Sequence, residues 1–414
     1  MMIDRAPARD SGDTGIRPEA PRPRIAFLDS ARALMLLIGI PFHVSEIYRW
    51  SGGALVESPD RSFAVTLLGG AVHVFRMPAF FVLAGFFASM MLSRRTARDW
   101  LVDRGLRLGV PLAFTTLAFG WLEVAIARAY REGIGLSEAI ALTWQTTPLG
   151  WTHHRWFLFV LLLFCVTAVA VRRHVPEGGV AARRAARGLA RSALGDRGPW
   201  PVVVLLVVLP FGIAATGVLS GSDGLGIGLG GAPPYENFYL HHAFFFGYGY
   251  ALHHLDGDVG RLVAFDPAER LPAILSIGLY ALTYERFHTG AGVPAGTALE
   301  VAIEVSRTAV SLLAGFYATK LFFLGAKRYL DVGGPIVSRL VEGALCIYLV
   351  HEVFVLGLGV AFAPIPLTPL VEFAIIVALT LAASIATFEL VRRSRTLSAL
   401  VNGRWAPRRP RAAP

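Results

Sequence analysis

One apolar stretch near the start of the chain, FLDSARALMLLIGIPFH, contains three polar residues that could do chemistry: Asp29, Arg32 and His43. In an α-helix, the eleven-residue spacing puts Arg32 and His43 on one face, about 16 Å apart along the axis. Asp29 lies one turn before Arg32 on that face. Imidazole groups transfer protons and guanidinium groups bind anions, so the stripe is a candidate functional site. The alternative is a structural ion pair beside an ordinary core histidine.

A second pair, His73 and Arg76, lies one turn apart just before MPAFFVLAGFF. A charged side chain in the hydrocarbon region of a membrane is costly and needs a partner. For Arg76 the candidate partners are Asp29, Glu46 or the anionic group of a bound substrate. A structural and a functional role both stay open.

A third pair, Arg104 and Arg107, stands one turn apart in RGLRLGVP. Guanidinium groups bind phosphates and carboxylates bidentately, so this pair suits a diphosphate or carboxylate ligand. The alternative is a cationic anchor at the cytoplasmic membrane surface. Further along, HHRWFLF contains His154 and Trp156, which could form part of a glycan site, or the tryptophan could be an interfacial anchor.

The stretch CIYLVHEVF places Tyr348, His351 and Glu352 near the middle of another apolar segment. They are functional candidates because ionisable groups in a membrane segment are rare. Two adjacent histidine pairs, at 241–242 and 253–254, lack the i, i+4 spacing of a helical metal site. The sequence therefore predicts no metal site.

Long apolar segments must position all of these residues. Of the 414 residues 54% are hydrophobic and 16% are charged, and the mean hydropathy is +0.55. Segments of about 20 apolar residues are long enough to cross the ~30 Å hydrocarbon core as helices. The sequence predicts an all-α polytopic bundle of about ten transmembrane helices, at residues 27–48, 63–92, 107–130, 155–172, 200–220, 238–254, 271–287, 300–323, 336–362 and 367–391.

The basic residues predict the orientation of these spans. With the N-terminus in the cytoplasm, most of the 39 arginines and lysines fall on the cytoplasmic side. This bias accounts for the net charge of +10 without nucleic-acid binding, and the same residues would contact anionic membrane lipids. We predict a disordered cytoplasmic tail at 1–24, a transmembrane domain at 25–395 and a basic cytoplasmic tail at 396–414.

Five segments, taken in order, resemble the membrane acyltransferase-3 family: FLDSARALMLLIGIPFHVSEIY, FRMPAFFVLAGFFASMML, RGLRLGVP, HHRWFLFVLLL and CIYLVHEV. They extend over most of the chain. The first is the most specific, because Arg32 and His43 match the family motif of an arginine, ten residues and a histidine. Within the family the likeness is greatest to the glucans biosynthesis protein C branch. Two positions depart from the family pattern: Pro111 in its spacing from the arginine pair, and Ala84 where serine is frequent.

The resemblance implies that an acyl group is transferred from cytoplasmic acyl-CoA to a hydroxyl group of an extracytoplasmic glycan or lipid, in the bacterial inner membrane. For this branch the expected reaction is succinylation of a periplasmic glucan. The resemblance makes His43 the catalytic base, Arg32 its partner in the motif, and Arg104 with Arg107 the donor-binding pair. Arg76 would bind either the distal carboxylate of a succinyl group or the reaction oxyanion.

Two alternatives stay open. Within the family, the reaction could be acetylation of another envelope glycan or of a lipid. In a different class, a secondary transporter of an anionic metabolite would also keep charged residues in the middle of the membrane. Against the transporter stand the ordered family segments and the lack of a visible inverted repeat.

Overall fold

The computed structural model describes residues 26–146, 153–174, 204–206, 208–210, 235–255, 260–284, 298–331 and 334–404. These residues form helices and no strand, which confirms the all-α prediction. The helices, in chain order, are α1 (Ala26–Leu37), α2 (Gly39–Ile47), α3 (Phe63–Leu92), α4 (Ala97–Arg104), α5 (Val110–Thr115), α6 (Trp121–Glu132), α7 (Leu136–Thr146), α8 (Trp156–His174), α9 (Tyr235–Leu255), α10 (Gly260–Val263), α11 (Arg270–Thr283), α12 (Ala298–Tyr329), α13 (Pro335–Phe362), α14 (Pro369–Val391) and α15 (Arg395–Asn402).

The chain is a multi-pass membrane protein. Seven described helical segments are long and apolar enough to cross a membrane: Phe27–Ile47, Phe63–Leu92, Ala97–Glu132, His153–Arg173, Val305–Tyr329, Pro335–Phe362 and Pro369–Val391. Of the three other predicted spans, 200–220 lies mostly outside the described residues. The remaining two correspond to α9 and to the 14-residue α11. The total of ten spans and the cytoplasmic location of both termini stay predictions.

The first span is broken between α1 and α2, at Ile38. Pro41 lacks the backbone N–H group that would bond to a carbonyl one turn earlier, which loosens the helix there. The break separates the segment that carries Arg32 from the segment that carries His43. The two residues therefore belong to different helices, although eleven positions in a straight helix would align them.

Helices α3 and α9 pack with unusually close backbones. A Cβ atom at Gly85 would collide with the carbonyl oxygen of Phe246, and one at Gly249 would collide with the carbonyl oxygen of Val82. Only glycine allows this approach from either helix, as is common where membrane helices cross. The contact fixes the position of α3, which carries His73 and Arg76.

The third span runs from α4 to α6 through two π-helical turns, Gly105–Gly109 and Thr116–Gly120. Such turns widen an α-helix by one residue and occur frequently at functional sites. The first of them contains Arg107. At the far end of the chain, α15 folds back so that Gly403 lies against the backbone of Arg107. Part of the predicted C-terminal tail is thus a helix that packs on the third span.

Candidate active site

Three histidines from distant parts of the chain meet inside the bundle, and we call them the histidine cluster: His43 on α2, His154 just before α8, and His351 on α13. Their ring centroids are 5.7 Å apart for His43 and His154, 5.1 Å for His43 and His351, and 5.0 Å for His154 and His351. The side chain of His351 is fully buried and that of His43 is 15% exposed. The structure therefore brings together three of the predicted site residues.

A carboxylate stands on one side of His43. Glu352 Oε2 lies 3.4 Å from His43 Nδ1 and 3.7 Å from His351 Nε2. The second ring nitrogen of His43, Nε2, has no hydrogen-bond partner within the described ranges. An imidazole with a carboxylate at one nitrogen and a free second nitrogen has the arrangement of a general base. Distances slightly longer than a hydrogen bond are usual for such groups before substrate binds.

The backbone carbonyl of Tyr348 holds the other two histidines. Its oxygen lies 3.2 Å from His154 Nε2 and 2.5 Å from His351 Nδ1. A carbonyl can only accept, so both of these nitrogens carry a hydrogen. The hydroxyl group of Tyr348 donates in turn to the backbone carbonyl of His154. These bonds join α13 to the start of α8 and fix the orientation of both imidazoles.

A buried ion pair lies next to His154 of the cluster. Arg155 Nη1 lies 3.1 Å from Glu123 Oε2, a second guanidinium contact reaches the other carboxylate oxygen, and both side chains are fully buried. Glu123 Oε2 is also 3.9 Å from His154 Nδ1. The sequence pointed to Glu352 as a candidate, but it did not single out Glu123 or Arg155. An ionisable residue within an apolar span is a signal that could have identified them. The sequence does not show, however, that α6 packs against the start of α8.

Arg76 and His73, on α3, lie on the Phe42 ring beside the cluster. The Arg76 guanidinium carbon is 4.7 Å from the Phe42 ring centroid, and the His73 ring stacks on it at 4.9 Å. Arg76 is only 5% exposed, and a Cβ atom at Gly39 would approach its Nη1 to 2.5 Å. Glycine at that position thus makes room for the guanidinium. Its charge interacts electrostatically with Glu352.

Neither carboxylate that the sequence offered as a partner of Arg76 fills that role. Asp29 Oδ1 lies 3.3 Å from Arg32 Nη2, and Glu46 pairs with Arg49 one turn later in the chain. The interpretation of Arg76 as a partner of Asp29 or Glu46 is therefore replaced by its placement on Phe42 and near Glu352.

A cavity of about 300 Å³ opens at the α4 end of the bundle, and we call it the arginine cavity. Its polar lining includes four arginines: Arg32, Arg104, Arg107 and Arg404. Asp103 holds two of them, with Oδ2 2.8 Å from Arg104 Nη2 and Oδ1 2.9 Å from Arg107 Nε. The predicted donor-binding pair thus shares a cavity with the arginine of the Arg32–His43 motif.

Aromatic contacts link one wall of the arginine cavity to the histidine cluster. Phe80 and Phe157 line the cavity, and their ring centroids are 5.1 Å apart. The Phe157 ring also contacts Tyr348, at 4.8 Å between centroids, and the Tyr348 ring lies 5.2 Å from that of His154. The arginines and this aromatic wall thus line the same cavity. Of the remaining predicted site residues, Trp156 packs on His242 of α9, with centroids 5.3 Å apart.

Two histidines of the cluster and the neighbouring Glu352 also have the chemistry of metal ligands. One ligand atom from each of His43, His351 and Glu352 lies within 4.8 Å of the others. Two imidazoles and a carboxylate can hold zinc, although the same groups need no metal to act as an acid–base set. The predicted absence of a metal site stays a prediction.

Comparison with known proteins adds to this geometry. A family model described as an acyltransferase domain, Acyl_transf_3, matches residues 25–389. Glucans biosynthesis protein C of Salmonella gallinarum is 31% identical over 159 residues, which cover 38% of this chain and 41% of the relative. The protein of the same name from Salmonella paratyphi B is 31% identical over 153 residues, 36% of this chain and 40% of the relative. These alignments thus span about two fifths of each relative. No solved structure matches.

Proposed function

Because the chain belongs to the acyltransferase-3 family and is an acyl-transferring membrane enzyme, we propose that it moves a succinyl group from cytoplasmic succinyl-CoA to a hydroxyl group of a periplasmic glucan. The name of the relatives, glucans biosynthesis protein C, supports a glucan acceptor. A donor in the cytoplasm and an acceptor in the periplasm require an enzyme in the inner membrane. The observation that carries the proposal is the His43 imidazole, with Glu352 at Nδ1 and a free Nε2.

In this reaction the acceptor hydroxyl attacks the thioester carbonyl of the donor. His43 Nε2 takes the hydroxyl proton as the new C–O bond forms. The C–S bond then breaks, and the CoA thiolate leaves and receives the proton from His43. Glu352 stabilises the imidazolium while it carries that proton, as the carboxylate does in other histidine–carboxylate pairs.

The arginine cavity is the proposed donor site. Its volume lies at the lower end of the range for ligand pockets, which suits the acyl-pantetheine arm rather than the whole of CoA. Arg104 and Arg107 at the mouth would bind the diphosphate and release Asp103 as they do so. The apolar wall of Phe80 and Phe157 would then guide the thioester towards His43.

Arg76 lies one turn before Phe80 on α3 and contacts Phe42, the neighbour of His43, so in this proposal it lies close to the arriving acyl group. Two roles are open to Arg76: it stabilises the oxyanion, or it binds the distal carboxylate of the succinyl group. Comparison of donors separates them. Arg76→Lys should lower kcat for both succinyl-CoA and acetyl-CoA in the first case, and for succinyl-CoA alone in the second.

The test is acyl transfer by the purified protein in proteoliposomes, with succinyl-CoA, an unmodified glucan and mass spectrometry of the product. His43→Ala should lower kcat by about 10²- to 10⁴-fold, the usual contribution of a general base. His254→Ala, which removes an exposed histidine of α9, is the matched control and should retain activity. Normal succinylation by a folded His43→Ala protein would overturn the proposal. Uptake of free succinate without acyl transfer would instead favour the transporter.

A further inference from the structure

The end of the bundle opposite the arginine cavity carries a second concave surface. It is formed by the loop between α2 and α3 together with the first residue of α14, and it is open to its surroundings. We call it the Trp50 surface, and its lining residues are Trp50, Pro59, Asp60, Arg61 and Pro369. The mechanism proposed above uses none of them.

Trp50 is an exposed aromatic residue on a fixed backbone. Trp50 is 57% exposed, yet its backbone is held on both sides. Its backbone N–H group donates to Thr66 Oγ1 at 3.1 Å, and its backbone carbonyl accepts from Arg61 Nη1 at 3.1 Å. Arg61 Nη2 is in turn 3.0 Å from Glu57 Oε2. The indole is therefore presented outwards by a braced loop. Large apolar side chains exposed in a concave surface are typical of binding sites.

Further contacts tie the same loop to the third span. The hydroxyl group of Tyr130 donates to the backbone carbonyl of Glu57 at 2.6 Å, and Arg131 donates to the backbone carbonyl of Ala54. Hydrogen bonds to α3 and to α6 thus hold the backbone of the loop that carries the Trp50 surface. Little conformational entropy would be lost there when a ligand binds.

The chemistry of the surface suits a neutral sugar chain. An indole face and proline rings pack against the C–H groups of a pyranose ring, while a carboxylate and a guanidinium hydrogen-bond its hydroxyl groups. The charges do not suit an anion, because Glu57 already neutralises Arg61 and the exposed Asp60 adds a negative charge. An anionic lipid headgroup is therefore disfavoured relative to an unmodified glucan.

The position of the surface connects it to the proposed chemistry. Trp50 follows His43 by seven residues, and α2 ends at Ile47 between them. The four helical steps from His43 to Ile47 span about 6 Å, and three further residues lead to Trp50, so a bound chain of several sugars could present one hydroxyl group to His43. The donor cavity opens at the other end of the same bundle, which leaves this end for the acceptor.

We propose that the Trp50 surface binds the glycan acceptor, with Trp50 stacked on a sugar ring and Asp60 bonded to its hydroxyl groups. This inference rests on the proposed function, which supplies the need for an acceptor. It adds a specific binding site, on a loop whose residues do not take part in proton transfer.

The experiment measures KM for the glucan and KM for succinyl-CoA separately. Trp50→Ala should raise KM for the glucan by about 2- to 10-fold, the scale of one aromatic contact, and should leave KM for succinyl-CoA unchanged. Asp60→Asn should act in the same direction. Trp144→Ala is the matched control, since Trp144 is 53% exposed on α7, and it should leave both values unchanged.

Saturation-transfer NMR with an unmodified neutral glucan oligosaccharide gives a second readout that needs no catalysis. We expect a signal from wild-type protein that weakens in Trp50→Ala. Unchanged KM and unchanged NMR signal in Trp50→Ala would overturn the inference. Equal losses in Trp50→Ala and Trp144→Ala would also overturn it, because they would indicate membrane anchoring by both tryptophans. A wild-type protein that binds the oligosaccharide but transfers no acyl group would contradict the proposed function and leave this site standing.

Discussion

Arginine–carboxylate pairs lie beside the histidine cluster and in the arginine cavity, but the two regions differ in their access to water. Arg155 and Glu123 beside the cluster are fully buried. In the cavity, the side chains of Arg104 and Asp103 are 28% and 21% exposed, and that of Arg107 is 59% exposed. A buried charge cannot lose its partner without a large cost, whereas a hydrated one can exchange partners cheaply.

The difference indicates a division of tasks. The cluster needs a constant geometry, because a general base must stay within hydrogen-bond reach of its substrate. The cavity needs exchangeable partners, because an incoming phosphate must compete with Asp103 for the same guanidinium groups. Removing a charge should therefore cost stability beside the cluster and donor affinity in the cavity.

Arg155→Met tests the buried pair. The substitution leaves the Glu123 carboxylate buried without its cation, which should destabilise the protein by about 3–5 kcal/mol. Chemical denaturation in detergent, followed by circular dichroism, measures the loss. The double variant Arg155→Met with Glu123→Gln removes both charges and should recover much of the stability. A double variant as unstable as the single one would show that the charge pairing is not the cause.

Glu352→Gln tests the carboxylate beside His43. The glutamine keeps the shape of the side chain but cannot stabilise an imidazolium, so kcat should fall by about 10²-fold with little change in either KM. Glu269→Gln is the matched control: Glu269 is a buried carboxylate that pairs with Lys320 at 2.6 Å, and its loss should affect stability rather than kcat. If Glu352→Gln retained full kcat, His43 would act without this carboxylate.

The sequence predicted features that lie within one span better than contacts between spans. Helical periodicity within one span indicated that Arg32 and His43 belong to one site, and the spacing of Arg104 and Arg107 indicated an anion-binding pair. Both are local patterns. In the structure, Arg32 lines the arginine cavity and His43 belongs to the histidine cluster, which a calculation of helix faces alone does not show.

The contacts between spans could not be predicted in this way. Glu123 and Arg155 are 32 positions apart in the chain, and lipid-facing and protein-facing sides of a membrane helix are both apolar. Hydropathy therefore finds the spans without showing which ones touch. Arg404 illustrates the same limit, because the sequence placed it in a tail and α15 returns it to the cavity.

Arg104→Gln tests the arginine cavity. Loss of one charged hydrogen bond to the donor should raise KM for succinyl-CoA by about 10-fold and leave kcat and KM for the glucan nearly unchanged. Added salt should weaken donor binding in the wild type more than in the variant. Arg98→Gln removes an exposed arginine of the same helix, α4, and should change neither constant. Equal increases in both KM values for Arg104→Gln would indicate a structural role instead.

Arg339→Gln should have the smallest effect. Arg339 binds Glu389 bidentately, at 2.7 and 2.6 Å, and so joins α13 to α14 with geometry as good as that of the buried pair. Its side chain is 52% exposed, however, and Glu389 keeps a second partner because Arg392 Nε lies 2.7 Å away. Water and Arg392 can therefore replace the lost contact, and we expect no resolvable change in unfolding or in acyl transfer. A loss comparable with that of Arg155→Met would show that bond geometry, rather than burial, sets the importance of the ion pairs in this protein.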